Sequence, residues 1–372
     1  MNIIFHHPLP LDSNAKSASG IRPLRMLKAF EALGCHVELV TGYPEERKNR
    51  IRQIKNNIRK GIKYDFVYSE SSTMPTVLTD AHHLPLHPLM DGLFFWYCKK
   101  NTIPIGLFYR DIYWRFPEYG QHMNPVKTAV AKAAYYFDLW VYQQTLSKLY
   151  LPSVKMGHYI PLVNSELFEA LPPGHTSPID RTLNYARASE QGSTLKLFYV
   201  GGMSEHYQLH KLFDAIEHLP QVELTLCTRE KEWQSVSNEY PVLPDNINVI
   251  HETGYAMERH LKAADIAILF VKPQEYREFA APVKLYEYLG FCKPILASEG
   301  TLAGQFVSEH SIGWTIPYDV TAAHQLLEQI SMDPTLLESI HKNLQEVMQE
   351  HSWQARSQQV IKELTQPAQG RP

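Results

Sequence analysis

Residues 278–298 read EFAAPVKLYEYLGFCKPILAS, and this stretch decides how the rest of the chain is understood. It divides into a loop, a short helix and a buried strand. Pro282 fixes its own φ and suits the first turn of a helix. The spacing predicts helix over 283–289, a stop at Gly290, and Pro294 ahead of the apolar run Ile295-Leu296-Ala297. A helix that begins this way aims backbone N–H groups at whatever lies before it, and that end attracts anions. Lys284 stands in the first turn, an unfavourable place for a cation unless an anion sits there. Glu287 follows three residues on, on the same face, where a carboxylate can accept two hydrogen bonds from a vicinal diol. Diphosphate at the helix tip with ribose one turn along is the geometry of a bound nucleotide. The plain alternative is a buried αβ unit with Lys284 and Glu287 on its wet edge.

The rest of the chain narrows the setting. Its 372 residues are long for one domain and comfortable for two. Hydrophobic residues make up 44% and charged residues 20%, the balance of a water-soluble globular protein. A formal charge of −3 leaves no global basic field for nucleic acid. Cys35, Cys98, Cys227 and Cys292 form no C-x-x-C pair, which argues against zinc or a disulfide framework and fits a reducing compartment. Met1 leads straight into an apolar strand at 2–5, with no secretory pattern and no run long enough to span a membrane. A cytoplasmic location is the expectation, with a peripheral place on the inner face of the cell membrane left open.

Strand 2–5, a loop holding Ser13, Ser17, Ser19 and Gly20, a helix from about Arg22-Pro23 and strand 36–41 make a βαβ unit. Ligands sit at the carboxyl end of such strands, though no G-x-G-x-x-G fingerprint follows any of them. Further strands are expected at 66–69, 104–109 and 149–151, with helices around 86–97 and 124–148. Weak periodicity with Pro172, Pro173, Gly174, Pro178 and Gly192 marks 171–193 as a linker. A second alternation of strand and helix begins at 195–200 and turns at Gly201-Gly202. Its later strands are followed by Thr228-Arg229, by Gly254-Tyr255 and by 272–278. The expected fold is therefore α/β, with two doubly wound parallel-sheet domains over 1–170 and 194–350 and a last helix in 351–372.

Two other segments carry chemistry. Residues 47–63 hold eight basic residues and no acid: Arg47, Lys48, Arg50, Arg52, Lys55, Arg59, Lys60 and Lys63. Ile51, Ile54, Ile58 and Ile62 fall within about 80° on a helical wheel. A narrow apolar stripe with a basic flank suits an anionic membrane; it also suits a surface helix that packs its isoleucines inward. Nucleic acid is disfavoured, because no aromatics interleave. Arg110-Asp111 stands at the carboxyl end of strand 104–109 among aromatics, where an active site would place an acid or base. Asp111 could equally cap the following turn or pair with Arg110. His6-His7 and His82-His83 read as loop or core histidines, since adjacent positions lack metal-ligand spacing.

On Pro282-x-Lys284-x-x-Glu287-Tyr288 with Lys293-Pro294, on Ser19-Gly20-Ile21-Arg22, on Arg110-Asp111-Ile112-Tyr113-Trp114 and on Tyr199-Val200-Gly201-Gly202, the chain resembles the GT-B glycosyltransferases. It is most similar to the family-4-type group of bacterial polysaccharide and glycolipid synthesis. The Ile160-Pro161-Leu162-Val163-Asn164 turn and the terminal Ser352-Trp353 helix add to the likeness. The resemblance implies two Rossmann-like domains facing across a cleft, with the last helix crossing back to the first. It implies a nucleotide-diphosphate sugar on the second domain and a glycan or lipid-linked acceptor on the first. Glu287 would hold the ribose, and Lys284 with the N–H groups near Pro282 and Val283 the diphosphate. Gly254 and Tyr255 would lie near the base, and Gly20 would let the first loop approach the donor. Asp111 would face the acceptor hydroxyl, and Lys284 would act on the leaving group.

The chain also departs from that pattern. Gly202 stands where many members carry Arg, and eight residues rather than seven separate Glu278 from Glu287. Arg229, Lys272 or Arg277 are the candidates for the missing charge. With no Asp-x-Asp motif and no ligand cluster, no metal and no cofactor is expected. An inverting reaction would use Asp111 as general base; a retaining one would use it to orient the acceptor. A sugar-nucleotide epimerase of the same fold would need Glu287 but no acceptor groove. A non-catalytic binding subunit of a membrane assembly could lose Asp111 or Lys284 without effect.

Overall fold

A computed structural model describes residues 1–15, 17–121, 123–176, 194–203, 208–240 and 243–366. The chain divides into two compact units, Met1–Pro173 with Trp353–Pro372, and Gly174–Ser352. Of the expected linker, 177–193 lies outside the described residues.

The first unit is built on β1 (Asn2–His7), β2 (His36–Thr41), β3 (Phe66–Glu70), β4 (Ile105–Phe108), β5 (Lys148–Leu151) and β6 (Phe168–Ala170). All pair in parallel, in the order β2-β1-β3-β4-β5-β6. The sequence does not announce β6, whose three residues are too few to show a period. Helices α1 (Ala18–Ala32), α2 (Pro44–Arg59), α3 (Met90–Lys100) and α4 (Pro125–Thr145) make the connections. The start of α1 precedes Pro23, which is inside the helix. Gly20 is therefore helical and not part of an open loop. Pro23 is the sixth helical residue, so the helix there gives up the N–H that would ordinarily bond the Ser19 carbonyl. The helix expected around 86–97 starts later, at Met90; Leu86, Leu89 and Leu93 are exposed, and the helix buries Asp91, Phe94, Phe95 and Cys98.

Helix α12 (Trp353–Thr365) belongs to this first unit, as the sequence led us to expect. Trp353, Val360 and Leu364 join Phe5, Met26, Phe30, Tyr68 and Tyr150 in one core. Gln359 donates to the Ala170 carbonyl at 2.9 Å, tying the helix to β6.

The second unit contains β7 (Leu195–Val200), β8 (Val222–Cys227), β9 (Ile247–Ile250), β10 (Ile266–Leu269), β11 (Ile295–Ser298) and β12 (Gly313–Ile316). Their order is β12-β11-β10-β7-β8-β9, again all parallel. Helices α5 (His210–Ile216), α6 (Glu230–Val236), α7 (Tyr255–Ala263), α8 (Val283–Gly290), α9 (Leu302–His310), α10 (Val320–Met332) and α11 (Thr335–Glu350) link or flank them. Along β10, Ile266 and Ile268 enter one core while Ala267 and Leu269 enter the other. That alternation buries both faces, as a parallel sheet requires. Strand order reverses between β7 and β10, and such a switch point opens a crevice at the carboxyl ends of the strands.

Candidate functional site

In the second unit the residues after β7 and β10 meet at that switch point. Pro282 is the extended N-cap of α8 and Val283 its first helical residue. No side chain caps the helix and no acid lies in its first turn. The Tyr288 hydroxyl accepts from Val200 N–H at 3.0 Å, fixing α8 to the end of β7. Leu285, Tyr288 and Leu289 are fully buried beneath it.

This attachment sends Lys284 over the turn that follows β7. Its Nζ lies 4.8 Å from the centre of the Tyr199 ring and 3.4 Å from the Tyr199 hydroxyl. Tyr199 in turn donates to the Gly202 carbonyl at 2.8 Å. A Cβ at Gly201 would lie 1.7 Å from Lys284 Nζ, so any other residue there would displace the amine. Burial pulls the Lys284 amine down to about 7, helped by the like charge of Arg277; Glu287 and Glu232 oppose the fall. An amine held in this way is ready to gain charge when an anion arrives.

The other donor-side candidates stand after the neighbouring strands. Arg229 precedes α6 and pairs with Glu232, its side chain 76% exposed. The second oxygen of Glu232 accepts from Met203 N–H at 3.3 Å, which reaches back to the glycine turn. Gly254 caps α7 with φ near +60°, a conformation that glycine adopts without strain, and Tyr255 beyond it is 73% exposed. Glu278 is exposed at the end of a short 3-10 turn, Glu275–Glu278, whereas Glu287 is half-buried on α8. The carboxylates that act most on Lys284 are Glu287 and Glu232.

In the first unit, Asp111 accepts from Tyr113 N–H at 2.9 Å and so starts the short helix Tyr113–Arg115. Arg110 turns elsewhere, to the Glu70 carboxylate at 3.1 Å and the Ser71 carbonyl at 3.2 Å. Trp114 stacks on Tyr135 at 4.9 Å, forming an aromatic wall beside Asp111. Glu70 escaped the sequence reading. It ends β3 fully buried, and takes Arg22 Nε at 3.0 Å and the Tyr68 hydroxyl at 2.7 Å as well as Arg110. The available signal was an acid placed directly after an apolar strand, the same signal that drew attention to Asp111. A Cβ at Gly20 would meet Ala15 Cβ at 2.5 Å, so this glycine serves the packing of its own turn.

The basic segment is corrected in two respects. Arg47 is 1% exposed and is not a surface residue. It grips the Asp91 carboxylate with Nε at 3.0 Å and Nη2 at 2.9 Å, and donates to the Pro8 and Gly42 carbonyls. Ile51 and Ile54 are buried against the unit, and Ile62 lies beyond the helix end, so the isoleucine stripe does not face outward. Lys48, Arg50, Arg52, Arg59, Lys60 and Lys63 are exposed, and Lys55 is partly covered by Tyr97, whose ring centre lies 5.0 Å from its Nζ. Among the described residues no group of three His, Cys, Asp or Glu is placed to hold a metal, and no helix is long and apolar enough to cross a membrane.

No family model matches the chain, and neither does any curated protein by sequence. Solved structures do match over nearly the whole length. Sucrose-phosphate synthase from Thermosynechococcus elongatus shares 14% identity at a TM-score of 0.63, covering 97% of this chain and 98% of that one. HepE of Anabaena, in complex with UDP and glucose, shares 14% at 0.62, covering 98% and 99%. WaaG, described as a glycosyltransferase involved in lipopolysaccharide biosynthesis, shares 14% at 0.58, covering 98% and 100%. At these identities the likeness establishes the fold, the two Rossmann-like domains of the GT-B architecture.

Proposed function

We propose that this chain is a glycosyltransferase of the family-4 type, moving a sugar from a nucleotide diphosphate to an acceptor hydroxyl. The observation that carries the reading is the Lys284 amine, set over Gly201 at the switch point of a GT-B second unit. Transfer breaks the bond between the anomeric carbon and the diphosphate, and negative charge grows on the leaving oxygen. Lys284 and the N-terminus of α8, which no side chain caps, would meet that charge. Their positive field takes the part a divalent ion plays elsewhere, so the proposal includes no metal. Glu287, one turn along, would hold the ribose, and exposed Tyr255 would stack on the base. Asp111 would face the acceptor, as base if the configuration inverts and as an orienting group if it is retained.

HepE binds UDP and UDP-glucose, so these are the first ligands to try. A ligand that binds only the native state stabilises it by about 2.7 kcal/mol at a hundred times its dissociation constant. UDP should therefore raise the melting temperature of the native chain, with EDTA present, and Glu287→Ala should lose the rise. No rise with any nucleoside diphosphate would defeat the donor reading. A rise without transfer to any glycan or lipid-linked acceptor would favour an epimerase or a binding subunit.

A role in surface polysaccharide or glycolipid synthesis at the membrane is part of the same proposal. Lys48, Arg52, Lys55 and Arg59 of α2 line one shallow groove with Met90 and Leu93 of α3. Leu93 is 60% exposed, and Leu84, Leu86, Leu89 and Trp96 around it are exposed too. Apolar side chains beside a basic helix suit an anionic lipid surface. The chain should sediment with phosphatidylglycerol vesicles and not with phosphatidylcholine, and Leu89→Glu with Leu93→Glu should reduce binding at least fivefold. Equal partition of native and substituted protein would refute this placement.

A further inference from the structure

We infer that the outer face of α4 docks on α4 of a second copy of this chain, the two helices running antiparallel about a two-fold axis. Val126, Val130, Ala133, Phe137 and Trp140 recur at intervals of four and three residues and fall within about 80° on the helix. That spacing is the a/d seam by which one helix takes another. None of the five is buried: Val126 is 71% exposed, Val130 49% and Trp140 53%, while Ala133 is exposed and Phe137 half-buried. The helix cannot turn to hide them. Its other side buries Ala131, Ala134, Leu139 and Tyr142. There the Tyr135 hydroxyl donates to the Thr73 carbonyl at 2.7 Å, and the Asp138 carboxylate accepts from Thr76 N–H at 2.7 Å.

The stripe matches itself in one antiparallel register. With the axis level with Tyr135, Phe137 faces Ala133 of the second copy, Trp140 faces Val130, and Val126 faces Gln144. Each aromatic knob then meets a small residue, as close packing of two helices requires. Phe137 and Trp140 already stack, ring centres 6.1 Å apart, so the knobs form a fixed ridge. No charge interrupts the seam. Asp138 is buried, and Lys127 and Lys132 stand about 100° and 120° from the centre of the stripe. This distinguishes α4 from the basic α2, because an anionic lipid surface selects cations that border the apolar stripe. From Val126 to Trp140 the seam is about 21 Å long. Covering it from both sides removes roughly 1,000 Å² from water, about the least that a specific dimer needs. The dimer is accordingly weak and reversible.

In analytical ultracentrifugation the full chain should show a dimer whose share grows with concentration. Val130→Glu with Trp140→Glu, both at exposed positions, should weaken association at least tenfold and leave the melting temperature of the dilute protein unchanged. Cross-linking reads the register, and the native Cys35, Cys98, Cys227 and Cys292 are buried and stay out of it. Val126→Cys mixed with Gln144→Cys should give a disulfide-linked pair on mild oxidation. Neither variant alone should do so, because position 126 lies about 27 Å along the seam from its own counterpart. A monomer at every concentration overturns the inference, and if the double variant then also loses binding to phosphatidylglycerol vesicles, the stripe is a lipid face. A dimer that the double variant leaves intact, or a mixture that fails to cross-link, also overturns it.

Discussion

Replacing Lys284 by alanine should lower turnover by about 10²–10³-fold, the usual cost of removing one preorganised donor from a developing negative charge. The amine is set by three neighbours that do not depend on it for folding: the Tyr199 ring, the glycine turn and the buried face of α8. The variant should therefore fold, and its loss should appear in turnover rather than in melting temperature. The pH dependence separates this from a packing role. Lys284 is held at about 7, below its ordinary 10.5, first by burial and then by Arg277. The unfolded chain thus binds more protons at this position between those two values. The cost of burying the charge is full below about pH 7 and fades as pH rises towards 10.5. An anion bound at the amine brings the proton back, so affinity for a diphosphate should fall as pH climbs above about 7. Lys284→Ala should show no such fall. Undiminished turnover in the variant, or an identical pH profile of binding, would remove Lys284 from the chemistry.

How far the sequence could be read differs between the two units, for a physical reason. In the second unit the candidate site lies on local features, a proline and a glycine at the two ends of a short helix and two charges one turn apart on it. Their spacing survives folding unchanged, so Lys284 and Glu287 stand on α8 where the pattern put them. In the first unit the informative contacts join residues far apart in the chain. Arg22, Glu70 and Arg110 meet only when the sheet forms, and no local spacing reveals that. The same limit explains α1. Pro23 and Arg22 look like a helix start when read locally, yet the fold continues the helix back to Ala18 and buries Arg22 over Phe108 at 3.4 Å. Arg47 misled in the same way, since a basic residue on a helical wheel looks solvated until its partner is known.

That partner is Asp91, and Asp91→Ala should cost the first unit about 3–5 kcal/mol, the penalty for leaving a buried charge without its counterion. Arg47 would remain enclosed with only the Pro8 and Gly42 carbonyls and the Thr79 hydroxyl to satisfy it. His6 would also lose the acceptor that lies 3.0 Å from its Nε2. Burial pushes the Asp91 carboxyl up, but His6 and Arg47 outweigh it and hold the group at about 2, against an ordinary 3.8. Its stabilisation is thus fully present above about pH 4 and is lost as pH falls towards 2. Denaturant unfolding of the native chain and of Asp91→Ala at neutral pH should show the loss directly. The double variant Arg47→Met with Asp91→Leu should recover much of it, because apolar groups of similar volume need no counterion. If Asp91→Ala were neutral, Arg47 would have to find water or another partner, and its assignment as a structural arginine would fail. If the double variant folds and still binds anionic vesicles as tightly as the native chain, Arg47 contributes nothing to that surface. The exposed bases of α2 would then account for all of its charge.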